Sequence, residues 1–149
     1  MDDGTLIHGL LFKTDDSKGL IFYLHGNAGS LRSWGGVAKT YTDLGFDVFM
    51  VDYRGYGKSG GKISGEKQLF SDMQQVYSSL RNTYEEEKLI VLGYSIGSGP
   101  ATCAATSPSP GCSSAPGPAT SARLPFSARP GYGSWRCAPT APRESRSRR

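Results

Sequence analysis

Histidine is scarce in this chain and confined to its front. The 149 residues hold only His8 and His25, and neither histidine nor aspartate occurs after Ser95. Cysteine is equally sparse: Cys103, Cys112 and Cys137 are odd in number and show no C-x-x-C spacing beside a histidine pair. That pattern argues against both a zinc site and a disulfide framework, and no metal or cofactor is expected. No apolar run approaches the roughly 20 residues that span a bilayer, so no membrane segment is expected. The start, Met1-Asp2-Asp3, is acidic and lacks a charged-then-apolar leader, which makes the cytoplasm the default location.

The scarcities are uneven along the chain. Up to Thr102 there are ten Lys and Arg against twelve Asp and Glu, whereas from Cys103 onward there are seven Arg against the single Glu144. All three cysteines and eight of nine prolines lie at or beyond Cys103, and every Lys, Asn, Gln, Val, Ile and Met lies before it. The tail's larger apolar side chains, Leu124, Phe126, Tyr132 and Trp135, are too few to offset chain entropy by burial. The expected organisation is therefore one folded unit over 1–102 and a disordered tail over 103–149.

Within 1–102 the apolar pattern alternates between two kinds of element. Thr5 to Lys13 is β-prone. Gly19 to His25, Phe46 to Tyr53 and Lys88 to Tyr94 are continuous apolar runs, as expected of strands covered on both faces. Leu31, Trp34, Val37, Ala38, Tyr41 and Leu44 recur at helical spacing, with Ser30 as cap, Gly45 as stop and Gly35-Gly36 as a weak point. Leu69, Phe70, Met73, Val76, Tyr77 and Leu80 mark a second helix. Strand, helix, strand, helix, strand predicts an α/β fold with a parallel sheet, and ligands gather at the carboxyl ends of such strands.

Three loops fall at those ends: His25-Gly26-Asn27-Ala28-Gly29, Asp52 to Gly65, and Gly93-Tyr94-Ser95-Ile96-Gly97. The last has the G-x-S-x-G spacing of a nucleophile elbow, in which a strained strand-to-helix turn projects a serine hydroxyl. Ser95 is the candidate nucleophile. The Ile96 backbone amide, at the start of the following helix, and the Asn27 amide on the neighbouring loop are the candidate oxyanion donors. Gly55 to Gly60 also matches the G-x-G-x-x-G of a dinucleotide loop, but Gly60-Gly61 and Gly65 delay the helix that would bind a pyrophosphate.

The HGNAG loop, the D-Y-R-G-Y-G-x-S-x-G loop and the GYSIG elbow, in that order, resemble the α/β-hydrolase fold. The resemblance is closest to small serine hydrolases labelled BEM46-like or grouped with S33-type serine aminopeptidases. It covers about Asp3 to Thr102 and implies ester or peptide hydrolysis through an acyl-enzyme on Ser95. In such hydrolases an acid and then a histidine follow the serine, whereas this chain offers only Glu144 and no later histidine. The chain as written is therefore expected to be inactive, and the tail to be read from a shifted frame or an altered splice. A non-catalytic binding fragment is the alternative. A nucleic-acid binder using Arg143 to Arg149 is a further one, although no nucleic acid is expected as partner. In the resembling fold Lys88 to Tyr94 is flanked on both sides. Here one flank is missing, so self-association through Leu89-Ile90-Val91-Leu92 is expected, relieved by a charge at Val91.

Overall fold

The alternation of continuous and periodic apolar segments produces a sheet with helices on both faces. A computed structural model describes residue 1, residues 3–106 and residues 133–136. The strands are β1 (His8–Phe12), β2 (Leu20–Leu24), β3 (Asp47–Val51), β4 (Leu89–Gly93) and β5 (Gly133–Arg136). The helices are α1 (Leu31–Trp34), α2 (Val37–Thr42), α3 (Glu66–Arg81) and α4 (Ser98–Thr106). The sheet order is β4-β2-β3-β1-β5. β2 lies parallel to both β3 and β4, whereas β1 runs antiparallel to β3 and β5 antiparallel to β1.

Alternation along the strands sorts the core into two layers. Leu20, Phe22, Leu24, Phe49, Val51, Leu89 and Val91 face α3 and α4 in one cluster. Ile21, Tyr23, Val48 and Met50 face Leu31 and Ala38 of α1 and α2 in the other. All six apolar positions predicted for the second helix are buried in α3. The three continuous apolar runs are the parallel strands because each must satisfy both layers.

The first predicted helix is split. Ser30 caps α1, accepting from the Arg32 amide, but the helix breaks at Gly35-Gly36 and α2 ends at Thr42. Leu44, expected on the apolar face, is instead 57% exposed, because the break and early end carry it past the helix. Gly45 turns the chain with φ +84°. α4 crosses the composition change at Thr102, and Gly133–Arg136 adds to the β1 edge. The rest of the tail expected to be disordered, 107–132 and 137–149, lies outside the described residues.

Candidate active site

β4 ends at Gly93, and Ser95–Gly97 form a single 3₁₀ turn leading into α4. Tyr94 is still extended, and its amide donates to the Leu24 carbonyl of β2 at 2.9 Å. One residue later the chain has turned: Ser95 has φ +53°, a left-handed conformation costly for a residue with a Cβ. The flanking glycines make that turn possible. A Cβ on Gly93 would stand 2.6 Å from the Ser98 Cα, and one on Gly97 would stand 2.7 Å from the Leu24 carbonyl carbon. Ser95 is thus held exposed at the sheet's carboxyl edge. Ile96 is the second residue of the turn, among the leading N–H groups of a helix that have no intrahelical acceptor.

The loop after β2 lies against this elbow. A Cβ on Gly26 would fall 2.9 Å from the Tyr94 ring and 3.2 Å from that of Trp34, so glycine there allows the elbow's tyrosine to cross the loop. Ala28 and Gly29 are both left-handed, with φ +64° and +81°. The Asn27 side chain fixes this bend: its Oδ1 accepts from the Ala28 amide at 2.9 Å and from the Tyr56 hydroxyl at 2.7 Å. The Trp34 indole donates to the Ala28 carbonyl at 3.0 Å. Asn27 and Ser95 are both exposed on the same edge.

Neither histidine is bonded to the serine among the described residues. His25 is fully buried, stacked on Trp34 and tilted against Tyr53, and its Nδ1 donates back to the Gly26 carbonyl at 2.8 Å. The Tyr53 hydroxyl donates to the His25 carbonyl at 2.7 Å, and burial raises that phenol far above its ordinary pKa. His8 faces Asp52, with Nδ1 3.2 Å from Oδ2. The antiparallel register that sets Gly9 opposite Val51 brings those two residues together.

Asp52 organises the third loop. Its Oδ1 accepts from the Leu31 amide at the start of α1 at 2.7 Å, and its Oδ2 accepts from the Lys58 amide at 3.1 Å. Gly57, at φ +48°, passes directly over this carboxylate. The glycine-rich loop that resembles a phosphate cradle is therefore wound around its own anion. Arg54 follows, buried, and pairs with Asp72 of α3 through Nε at 2.5 Å and with Asp3 through Nη1 at 2.5 Å. These hydrogen bonds raise the Arg54 pKa and hold the Asp3 carboxyl well below the usual range.

The family model described as serine aminopeptidase, S33, matches residues 15–125. The chain belongs to this family. The match continues past Thr102, where the motif-based resemblance stops. Among the proteins this chain is similar to, the uncharacterized protein YfhR of Escherichia coli K12 is 32% identical over 102 residues, covering 64% of this chain and 36% of its own length. The lysophosphatidylserine lipase ABHD12 of Danio rerio is 38% identical over 88 residues, 58% of this chain and 23% of the lipase. An esterase from Exiguobacterium antarcticum shares the fold with a TM-score of 0.55 at 28% identity, covering 68% of this chain and 36% of that structure. The chain thus spans about a third of the length of the first of these relatives. Among the described residues no helix is long and apolar enough to cross a membrane.

Ser95, Ile96 and Asn27, read from two short motifs, stand on one sheet edge. The sequence reading missed the residues that hold their loops: Asp52, which ties two loops to His8, and Tyr56, which holds Asn27 from 29 positions away. The signal for the first was available in principle, because an antiparallel pairing of the early strand with Phe46 to Tyr53 places a histidine opposite an aspartate. Nothing in the sequence marks the second.

Proposed function

We propose that this chain carries the nucleophile and oxyanion loops of an acyl hydrolase acting on small esters or peptides. Ser95 is the nucleophile, and the Ile96 and Asn27 backbone amides stabilise the oxyanion. The observation that supports this most is the left-handed Ser95, exposed between two glycines that admit no side chain. A serine in an ordinary turn does not require both neighbours to be stripped in this way. The hydroxyl attacks the substrate carbonyl, its proton passes to a base, and the leaving group departs with a proton, leaving an acyl-enzyme that water hydrolyses.

The base is the missing component. His25 is buried with Nδ1 bonded to Gly26, His8 is engaged with Asp52, and no histidine follows Ser95 in the sequence. We infer that this chain does not turn over esters at an enzyme's rate. A triad without its base retains roughly 10³ to 10⁴ over water from oxyanion stabilisation and binding alone. A fluorophosphonate probe tests both parts. The chain should resist labelling, while residues 1–102 continued by a frame encoding a later Asp and His should label, and lose the label in Ser95→Ala. Rapid, Ser95-dependent turnover of p-nitrophenyl acetate by the chain itself would overturn the second inference. Failure of the continued frame to label would overturn the first.

A further inference from the structure

The two edges of the sheet differ. At one, β5 pairs with β1 from His8↔Arg136 to Leu11↔Gly133 and is itself the last strand. At the other, β4 pairs with β2 over Leu89 to Gly93 and has no partner on its outer side among the described residues. The direction of the free groups follows from one bond. The Tyr94 amide points to Leu24, and alternation along a strand turns the peptide groups of Leu92 and Ile90 the same way. Those of Val91 and Gly93 therefore point outward, together with the Leu89 carbonyl, whose own amide is occupied by Glu86.

We propose that this edge pairs with the same edge of a second copy, antiparallel and centred on Val91 opposite Val91. The free groups are arranged symmetrically for that register. Val91 exchanges reciprocal N–H···O bonds with its counterpart, and each Gly93 amide donates to the Leu89 carbonyl of the other copy. Opposed residues share a face, so the half-buried Ile90 and Leu92 cover one another on the α1 and α2 side. Flanking charges do not collide: Lys88, already paired with Glu85, falls opposite Tyr94, and Glu87 falls opposite Ser95. Within the strand there is no proline, charge or bulge to discourage pairing. The two-fold arrangement consumes the β4 edge of each copy, so pairing through that edge closes at a dimer.

Size-exclusion chromatography with light scattering, across protein concentrations, is the test. The chain is expected to be dimeric at high concentration, with deuterium exchange at Val91 and Gly93 slowing as the dimer forms. Val91 is itself 4% exposed in the α3 and α4 layer, so the charge expected to suit that position would be buried and would strike folding rather than pairing. Two other variants separate the effects. Val91→Pro removes an outward donor without breaking the β2 ladder, and Leu92→Lys puts a charge on the half-buried face. Both should shift the chain to monomer, and Leu92→Lys decides the matter should the proline variant not fold. A wild-type monomer at every concentration, open-ended assemblies, or dimers unaffected by Leu92→Lys would overturn the proposal.

Discussion

Two glycine-rich loops flank the loop after β2 at the sheet's carboxyl edge and are built on opposite principles. The elbow after β4 is closed by backbone against backbone: Gly93 touches the start of α4, and Gly97 touches the Leu24 carbonyl of β2. The loop after β3 is closed by side chains, with Asp52 gathering the Leu31 and Lys58 amides and Arg54 gathering Asp72 and Asp3. The first arrangement leaves its functional group, the Ser95 hydroxyl, facing out. The second fills its own interior with a carboxylate. Glycine spacing alone therefore does not specify chemistry; what occupies the space the glycines clear decides it.

The largest effect should come from the backbone-closed loop. In Gly97→Val the side chain meets the backbone of β2, an interior strand that cannot move without disturbing β3 and β4 on either side, so a loss of ~3 kcal/mol or more is expected. Gly93→Val should be comparable. Chemical denaturation of the chain reads the stability, and in a probe-reactive continued form labelling of Ser95 should fall as well. Normal stability and labelling would mean that the elbow is not closed as described.

The side-chain-closed loop should break more gently. Asp52→Ala strips two amides and His8 of a buried acceptor, at a cost of about 2–4 kcal/mol, whereas Asp52→Asn keeps one acceptor and should cost less. Deuterium exchange should rise at Leu31 and Lys58 together in Asp52→Ala, because one carboxylate holds both, and chiefly at one of them in Asp52→Asn. Independent behaviour of the two amides in Asp52→Ala would show that the loops are not coupled through Asp52.

What the sequence disclosed follows from this contrast. Local patterns have local causes: the strand runs, the α3 face and the G-x-S-x-G turn each depend on neighbours within a few residues, and they were readable. The split at Gly35-Gly36 was readable as a weakness but not as the displacement of Leu44, which depends on where α2 stops. Long-range ties were not readable. His8 with Asp52, Tyr56 with Asn27 and Arg54 with Asp72 join residues 18 to 44 positions apart, and each exists only because the sheet order brings its ends together. The antiparallel direction of β1 belongs with them, since periodicity carries no sign of strand direction.

A smaller effect is expected where one tie joins the loop after β3 to the loop after β2. Tyr56→Phe removes the hydroxyl that donates to Asn27 Oδ1 but leaves the Ala28 amide bonded to that oxygen. The bond is exposed, so about 0.5–1 kcal/mol is expected from stability measurements, with a local change in the Asn27 and Ala28 amide resonances. A loss as large as that of Asp52→Ala would make Tyr56 a principal anchor and erase the distinction between the loops.

The smallest effect should be the one most dependent on pH. Asp3 is half exposed, and Asp72 retains Arg54 without it, so Asp3→Asn should cost less than any change above. Its sign is fixed by the Arg54 hydrogen bonds, which depress the folded-state pKa of Asp3 below the roughly 3.9 of an unfolded aspartate. Between those two values the unfolded chain binds a proton that the folded chain does not, so stability rises with pH across that interval. The contribution of Asp3 is thus complete above about pH 5 and is lost as the pH falls toward the depressed value. Urea midpoints of the chain and of Asp3→Asn should differ most at neutral pH and converge as the solution is acidified from pH 5 toward pH 2. A gap that persists undiminished at the acid end would show that Asp3 acts by packing rather than by charge. The Arg54 network would then resemble the elbow, a closure by shape, instead of its counterpart.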